Sequence, residues 1–511
     1  MKTALALFLL AALAVSASTK NILVVIADDF GIDSHSLYNT NPAASLPPTP
    51  TINALAARGV RFANACAYPV CSPTRAAMLT GRYAFRTGVT DVLTTPTQQG
   101  IYTNEVTLPE LLAPTHRTGS FGKWHLGGGT TGPGSVGGWS HFSGSLPAAI
   151  GASATNFWLW TKTSNGISRA NYSGYATTDN VNDAITWLGQ QGTNRWFLWL
   201  GFNAPHTPYH LPPTNLCPHY AGLSGTATDL QQNPRRYFEA AVEAMDTELG
   251  RLLASVNTNE TTILFLGDNG TAQRVIQPPY NIAGRAKDSL YEGGVRVPFI
   301  IAGPDIASPG RTSSEVVHVV DIFASVLEIA GVDVASALPP GLPNDSRSLV
   351  PILRNELFTP AEAAVLMEDS GATPAGSLTG RAARLAQYKL IRWDTGAEEL
   401  YDLAADPTEA TNLLTRPLAG APQASLDQLR ARLAAWTNTP KIHAEALTSS
   451  AFIADAGWFV NADFTLWRTA DLATVNWVRV TNAAVQDRGD TIRLTDPQPS
   501  GGKAFYRVRQ E

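Results

Sequence analysis

Residues 21–29 have the sequence NILVVIADD, and this stretch decides the fold class. It holds five consecutive aliphatic residues at positions 22–26, four of them β-branched. A continuous run of this kind predicts a strand that is buried on both faces, as in a parallel sheet covered by helices. Two carboxylates, Asp28 and Asp29, follow where the strand ends. The stretch therefore predicts an α/β domain with polar groups at the carboxyl end of a strand.

The same pattern continues along the chain. Residues 196–202, 262–266 and 297–302 are further apolar runs. Residues 237–253 carry apolar side chains at helical spacing, and residues 49–59 carry a Thr-Pro start and a Gly end for another helix. We therefore expect a large mixed, mostly parallel sheet sandwiched by helices.

Two further regions of the chain have different sequence patterns. Residues 388–393 and 399–403 flank the turn sequence Asp-Thr-Gly, which predicts a β-hairpin. Ser425 and Gln428 form a capping box for a helix with an apolar face at Leu426, Leu429, Leu433 and Trp436. These elements predict a smaller α+β subdomain. From about residue 448, alternating segments at 477–480, 491–494 and 505–508 predict a small all-β module. The expected division is 1–17, 18–365, 366–440 and 448–511.

The first of these segments, residues 1–17, has the features of a signal peptide. Lys2 precedes an apolar run of 12 residues, Ala4–Val15, and Val-Ser-Ala at 15–17 offers small residues for cleavage. The run is shorter than the roughly 20 residues of a membrane span. We expect an exported chain, periplasmic or secreted, with no membrane span; an N-terminal core helix is the alternative.

Composition excludes some classes of protein. A hydrophobic fraction of 44% excludes global disorder. Lys and Arg total 37 against 42 for Asp and Glu, so no broad basic surface for nucleic acid is expected. Three cysteines are too few for a disulfide framework.

Polar residues follow several of the predicted strands. Asp28-Asp29 and Asp268-Asn269 each follow an apolar run, and the segments GKWHLG at 122–127 and PHTP at 205–208 lie between them in the chain. Ligands of open α/β sheets bind at the carboxyl ends of the strands. Two adjacent acids alone more often form a solvated turn. Three carboxylates and an amide oxygen together suit Ca²⁺ or Mg²⁺.

A second element is the segment CSPTRAAMLTGR at 71–82. Ser72 is a good N-cap, Pro73 fits the first helical position and Gly81 fits just past the end. Cys71 would then lie at a helix N-terminus, where the helix dipole favours an anion. Arg75 in the first turn opposes that dipole and should have an anionic partner. A buried cysteine beside a helix cap is the alternative.

These segments resemble the type I, formylglycine-dependent sulfatases, arylsulfatase-like members of the alkaline phosphatase superfamily. The sequence CSPTR at 71–75 looks like their Cys-x-Pro-x-Arg motif. Further segments resemble the family in the same order: 26–29, 122–127, 205–208, 267–270, Lys287 with 292–298, and 399–413. The resemblance covers about residues 21–438.

The resemblance implies that a separate maturation enzyme oxidises Cys71 to Cα-formylglycine, whose hydrated aldehyde is the nucleophile. A thiolate would leave a stable thiosulfate ester, whereas the second hydroxyl of the hydrate lets the aldehyde re-form and eject sulfate. The cation that it implies is usually Ca²⁺, with Mg²⁺ as the alternative. The metal ligands that it implies are Asp28, Asp29, Cys71, Asp268 and Asn269.

Roles for other side chains are carried over in the same way. Arg75 matches the residue that orients the aldehyde hydrate. Lys123 and Lys287 match the cations that hold sulfate oxygens. His206 matches the residue at the leaving oxygen, and His125 matches the one that assists expulsion of sulfate.

The expected function is hydrolysis of sulfate monoesters, with a sulfated carbohydrate or an aryl sulfate as substrate. A phosphate or phosphonate monoester hydrolase of the same superfamily is the enzymatic alternative, and a carbohydrate-binding protein is the non-enzymatic one. Smaller questions stay open at this point. They concern which serine also contacts sulfate (Ser143 or Ser145), whether Cys66 and Cys217 pair or are core thiols, and whether Trp467 and Trp477 stack on sugars or fill a core.

Overall fold

A computed structural model of the chain describes residues 21–339, 342–358, 365–369 and 379–437, and the backbone of short strands beyond residue 441. The expected signal peptide, residues 1–17, lies outside the described residues and stays a prediction, as does the division of the chain into domains.

The main element is a ten-stranded mixed sheet. Its strands are β1 (Asn21–Ala27), β2 (Gly59–Cys66), β3 (Arg117–Lys123), β4 (His141–Ser145), β5 (Leu159–Ser164), β6 (Ile167–Ser173), β7 (Trp196–Gly201), β8 (Thr261–Gly267), β9 (Phe299–Ala302) and β10 (Arg311–His318). Their order is β10-β2-β9-β8-β1-β7-β3-β4-β5-β6. The pairs among β8, β1, β7, β3 and β4 are parallel, whereas β9 and the β5–β6 hairpin run antiparallel. The expected mixed, mostly parallel sheet is confirmed.

Helices cover both faces of this sheet. They are α1 (Pro50–Arg58), α2 (Cys71–Thr80), α3 (Ala84–Thr87), α4 (Leu108–Leu112), α5 (Gly132–Ser135), α6 (Ala176–Gly189), α7 (Ala227–Gln232), α8 (Pro234–Ala254), α9 (Glu292–Val295), α10 (Ile322–Ile329), α11 (Val334–Ala337) and α12 (Val350–Leu353). The side chains of β1 show why its apolar run is continuous. Leu23 and Val25 pack against α6 and α8, while Val24 and Ile26 pack on the other face with α2 and α10.

Local signals set several element ends. Helix α1 begins at Pro50 and stops before Gly59, as the sequence predicts. Gly81 adopts φ 68° and ends α2 in the left-handed conformation, which costs glycine little. The predicted apolar face of α8 is buried along its length, at Phe238, Val242, Met245, Leu249 and Leu252.

A second, antiparallel sheet follows. It consists of β11 (Val365–Asp369), β12 (Gly380–Arg384), β13 (Tyr388–Trp393) and β14 (Glu398–Asp402). Helix α13 (Ala421–Thr437) follows these strands in the chain and packs against the sheet. The predicted hairpin is β13–β14. The predicted capping box at Ser425 is wrong, because α13 begins four residues earlier, where Pro422 fits its first turn. Leu426, Leu429 and Leu433 are buried against the sheet, as their spacing predicts.

Beyond residue 441 the backbone forms short antiparallel strands. They are β15 (Ile442–Leu447), β16 (Phe452–Gly457), β17 (Phe464–Thr469), β18 (Val478–Arg479), β19 (Ala484–Asp487), β20 (Thr491–Asp496) and β21 (Phe505–Gln510). They pair in the orders β15-β16-β20-β19 and β18-β17-β21. This is the expected all-β module. The side chains of Trp467 and Trp477 lie outside the described residues, so their role stays a prediction.

Two smaller findings concern the remaining thiols and the helices. Cys66 and Cys217 are buried free thiols, so the disulfide left open between them is not formed. None of the described helices has both the length and the apolar character that crossing a membrane requires.

Candidate active site

Four neighbouring parallel strands bring polar residues to one edge of the main sheet. Asp28-Asp29 follows β1, Asp268-Asn269 follows β8, Lys123 ends β3, and the loop after β7 carries His206. These strands lie side by side in the order β8-β1-β7-β3, so their carboxyl ends converge, as the sequence predicts. The start of α2 and the loop before α9 add Cys71 and Lys287 to the same place.

Helix α2 begins at Cys71 itself, with Val70 at the N-cap position. The prediction that Ser72 caps this helix is therefore wrong. The Ser72 hydroxyl donates instead to the carbonyl of His125, 3.1 Å away, and accepts from the Leu93 amide at 3.2 Å. It joins the start of the helix to two loops of the site.

The Cys71 thiol is buried and faces two ammonium groups. Its Sγ lies 3.4 Å from Nζ of Lys123 and 4.0 Å from Nζ of Lys287. Burial raises the pKa of the thiol to about 12, although the two lysines act against the rise. The thiol is therefore neutral and a weak nucleophile, while its surroundings suit an anion.

Each carboxylate of the site has its own cation. Lys123 donates to Oδ2 of Asp28 at 2.7 Å, and Lys287 donates to Oδ1 of Asp29 at 2.6 Å. The Arg75 guanidinium donates twice to Oδ2 of Asp268, from Nε at 3.0 Å and Nη2 at 2.8 Å. Asp268 is thus the anionic partner that Arg75 was expected to have.

Burial and charge act against each other on these carboxyl groups. Burial raises the pKa of Asp28, but Lys123 and the other nearby cations outweigh it, so the pKa lies below its ordinary value. For Asp268 the balance is reversed, because burial and the negative charge of Asp28 raise its pKa to about 6. Although burial acts to lower the pKa of Lys287, the Asp29 carboxylate holds it well above its ordinary value.

Two buried oxygens of the site have no hydrogen-bond donor among the described residues, namely Oδ1 of Asp28 and Oδ1 of Asn269. The Asn269 amide nitrogen donates to Oδ1 of Asp29 at 2.8 Å. Asp28, Asp29 and Cys71 each offer one ligand atom, and these atoms lie within 4.8 Å of one another. Because unpartnered buried oxygens are costly and hard oxygens are what Ca²⁺ and Mg²⁺ prefer, the residues fit a divalent cation.

Two histidines border the cluster. His125 places Nε2 2.9 Å from the Leu93 carbonyl, and burial followed by the charge of Lys123 lowers its pKa. His206 is less deeply covered and places Nε2 3.7 Å from Oδ2 of Asp29. Burial lowers the pKa of His206, against the effect of Asp29. His206 therefore lies at the more exposed border of the cluster, beside Asp29.

The two candidate serines have different hydrogen-bond partners and different positions relative to the site. Ser143 donates to Asp183, 2.6 Å away, outside the site. Ser145 is in register with Lys123 on the neighbouring strand and exchanges hydrogen bonds with Asn203 at 2.9 and 3.1 Å. Sequence reasoning missed Asn203, although it follows the buried run 196–202 as the first polar residue.

Comparison with known families gives two matches. Residues 20–332 match the family model described as sulfatase. Residues 286–437 match the model described as N-sulphoglucosamine sulphohydrolase, C-terminal.

The named relatives have low sequence identity to this chain, and their names refer to different substrates. The mouse arylsulfatase J is 26% identical over 61% of this chain and 53% of its own length. Choline-sulfatase of Rhizobium meliloti is 25% identical over 81% of this chain and 86% of its own. The ulvan-active sulfatase of Formosa agariphila is 26% identical over 72% and 73%. The match thus spans about half the length of the mouse relative.

Solved structures share the fold. The crystal structure of Ps i-CgsB matches with a TM-score of 0.69 and 22% identity, over 82% of this chain and 93% of that one. BT4656, solved in complex with its substrate D-glucosamine-2-N,6-O-disulfate, matches with a TM-score of 0.64 and 21% identity, over 82% and 97%.

Proposed function

Since the chain belongs to the sulfatase family, whose model covers more than half of it, we propose that it hydrolyses sulfate monoesters of a carbohydrate outside the cytoplasm. One observation carries the proposal. The buried Cys71 of a Cys-x-Pro-x-Arg motif faces two ammonium groups beside a buried carboxylate, Asp28, and a buried amide, Asn269, that each have an unpartnered oxygen. This arrangement combines an anion pocket with a cation site.

The cation site is assigned to the oxygens at the ends of β1 and β8. Calcium is the first expectation and magnesium the second. The residues that would hold the cation are Asp28, Asp29, Asp268 and Asn269, with Cys71 beside them. When bound, the ion supplies Lewis acidity and two positive charges. The three carboxylates balance Arg75, Lys123 and Lys287, so the loaded site would carry about +2, which favours an anionic ester.

Lys123 and Lys287 are the sulfate-binding side chains in this proposal. Both ammonium groups lie within 4.0 Å of the Cys71 sulfur, so an anion at that position would contact both. Arg75 is fully buried and is held by Asp268 and by the Lys123 carbonyl, 3.0 Å from Nη1. Its proposed role is to orient residue 71 and Asp268.

Cys71 itself is proposed to be converted to formylglycine by a separate maturation enzyme. The complete motif and the neutral, buried thiol support this, because the thiol is poorly suited to attack by itself. The converted side chain supplies an oxygen nucleophile, so that no stable thiosulfate ester is left on the protein. Mass spectrometry of the peptide with residue 71 should show a species about 18 Da lighter than the cysteine form. Unconverted Cys71 in fully active protein would contradict the conversion.

The two histidines are proposed to assist departure of the leaving oxygen and release of sulfate. His206 lies at the less covered border of the site, where the leaving oxygen would emerge. His125 is buried, and its Nδ1 has no partner among the described residues. It is placed on the Cys71 side through the Ser72 hydroxyl that bonds its carbonyl, which fits a role in release of sulfate.

A carbohydrate substrate is supported by relatives that act on sugars. BT4656 has a sulfated glucosamine as its substrate, and the Formosa relative is ulvan-active. Steryl-sulfatase and choline-sulfatase also match, so other alcohols are alternative outcomes of the test. Export rests on the signal-like segment 1–17 alone.

The test is release of sulfate from a panel of sulfated mono- and oligosaccharides, compared with an aryl sulfate, an aryl phosphate and a phosphonate monoester. We expect the highest kcat/KM on a sulfated sugar, because remote sugar contacts contribute to transition-state binding. Activity on the aryl sulfate alone decides nothing about the natural substrate. Cys217→Ala, which alters a buried thiol away from the site, should keep full activity, whereas Cys71→Ala should lose it.

Two outcomes would overturn the proposal. Efficient hydrolysis of phosphate or phosphonate esters without sulfate release would favour the enzymatic alternative. Binding of a sulfated sugar without hydrolysis of any ester, by protein with converted Cys71, would favour a carbohydrate-binding protein.

A further inference from the structure

Trp158 is exposed, alone among the aromatic residues whose side chains the structure describes. Its exposed fraction is 42%, and the adjacent Leu159 is 46% exposed. An exposed aromatic ring that packed neighbours hold in place is suited to bind a ligand, because its exposure to water is unfavourable.

The pairing of the strands places this surface at the edge where the active site opens. Lys123 is in register with Ser145 on β4, and Gly144 pairs with Thr163 on the antiparallel β5. Strand β5 therefore begins beyond the carboxyl end of β4. With a strand spacing of about 4.8 Å and a rise of about 3.3 Å per residue, Trp158 lies roughly 10 Å to the side of Lys123 and roughly 13 Å above it.

A second set of contacts joins Trp158 to the loop of His206. The ring of Phe157 stacks on His210 with centroids 3.7 Å apart. The Tyr175 hydroxyl lies 3.0 Å from Nε2 of His210, and the rings of Tyr175 and Trp158 are 5.1 Å apart. His210 follows His206 by four residues in the same loop. The exposed indole is thus supported by packed rings and lies next to the loop that carries His206.

We propose that Trp158 forms a subsite that stacks on a sugar ring of the substrate remote from the sulfate ester. The C–H faces of a pyranose are apolar and match the flat face of an indole, while its hydroxyls stay in water. The distance from Lys123 suits a sugar a few units away from the sulfated one. This subsite rests on the proposed function, since it takes the carbohydrate part of that substrate.

The experiment compares Trp158→Ala and Trp158→Phe with the wild-type chain. Substrates are the sulfated oligosaccharide with the highest kcat/KM in the panel, the corresponding sulfated monosaccharide and an aryl sulfate. We expect Trp158→Ala to lower kcat/KM on the oligosaccharide about tenfold, and to change it less than about twofold on the two small substrates. Trp158→Phe should retain most activity, because a flat ring remains.

Ile167→Ala is the matched control. Ile167 is 69% exposed but lies at the other end of the β5–β6 hairpin, where it pairs with Ser164. Its removal should leave all three substrates unaffected. Equal losses of Trp158→Ala on large and small substrates, or no loss on the oligosaccharide, would overturn the subsite.

Failure of the proposed function is distinguishable. If the wild-type chain hydrolyses no sulfate ester, calorimetry measures the binding of sulfated hexasaccharides to the wild type and to Trp158→Ala. Weaker binding by the variant supports the subsite without the activity. Equal affinity, or no binding by either protein, overturns it.

Discussion

Two buried clusters of charged side chains differ in which of their atoms are left without a hydrogen-bond partner among the described residues. The first is the active-site cluster of three aspartates, Arg75, Lys123 and Lys287. The second, here named the anchor cluster, consists of Glu292, Glu409, Arg384 and Lys389. Each cluster has equal numbers of carboxylates and cations.

In the anchor cluster both oxygens of Glu292 are paired, one with Arg384 at 2.9 Å and one with Lys389 at 3.2 Å. Glu409 accepts from the Glu292 amide at 2.5 Å and pairs with Lys389 at 2.9 Å. These bonds join α9 of the main domain to β12 and β13 of the second sheet. The anchor-cluster atoms without a hydrogen-bond partner in the described part of the chain are Nε of Arg384 and Oε1 of Glu409, and the latter still faces the Lys389 ammonium. In the active-site cluster the unpartnered atoms are oxygens of Asp28 and Asn269, which suit a cation.

The difference teaches what each cluster is for. A buried ion pair contributes to stability only when the groups taken out of water are matched, as around Glu292. Oxygens left unmatched lower stability but keep the capacity to bind a cation. One cluster should therefore respond to substitution mainly in stability, and the other mainly in activity.

The largest expected effect is on activity. Cys71→Ala should lower kcat/KM by about 10⁴-fold or more, because it removes the side chain that we propose as the source of the nucleophile. Its melting temperature should stay within a few degrees of the wild type, since the change is small and leaves all ion pairs in place. Activity of this variant near the wild-type value would contradict the assignment of residue 71.

Substitution in the anchor cluster should have the opposite result, a large loss of stability with a small loss of activity. Glu292→Gln removes the carboxylate that pairs with the buried Arg384 and leaves Lys389 with Glu409 alone, so we expect the free energy of unfolding to fall by about 3 kcal/mol. The value of kcat per folded molecule should fall less than tenfold. Denaturant unfolding and active-site titration measure the two quantities. The exposed Glu260 provides the control Glu260→Gln, which should change neither.

Binding of a cation should stabilise the protein through the active-site cluster and should not depend on the anchor cluster. Calcium at about 100 times its dissociation constant should raise the free energy of unfolding by about 2.7 kcal/mol and restore activity lost on chelation. Asn269→Ala should abolish the calcium-induced rise in melting temperature, whereas Glu292→Gln should keep it. An equal rise in both variants, or full activity after exhaustive chelation, would argue against the proposed cation site.

The smallest effect concerns pH. Burial acts to raise the pKa of Glu292, but Arg384, Lys389 and Arg296 outweigh it and lower the pKa to about 2 from an ordinary 4.5. The stabilisation that results from this depressed pKa is complete at pH values well above 4.5, the pKa in the unfolded chain. It is lost as the pH falls toward about 2, the pKa in the folded protein. Between pH 5 and 3.5 the wild type should lose about 1 kcal/mol more than Glu292→Gln. Parallel curves for the two proteins would contradict the ion pairing of Glu292.

Local patterns were enough to predict most of the framework. The apolar run at 22–26, the glycine at position 81 and the periodic face of α8 act within a few residues of chain, so the sequence alone specifies strand, helix end and buried face. Motif order also predicted which residues meet at the sheet edge, because parallel neighbouring strands bring their carboxyl ends together.

What the sequence alone left undetermined depends on contacts between distant parts of the chain. Lys287 meets Asp29 across 258 positions, and the Ser72 hydroxyl is used by a loop 53 positions away rather than as a helix cap. Which oxygens stay unpartnered, and that Trp158 faces solvent on the side of His206, follow from strand order and register. Such contacts are decided by packing of the whole domain, since no local preference encodes which distant donor a side chain will meet.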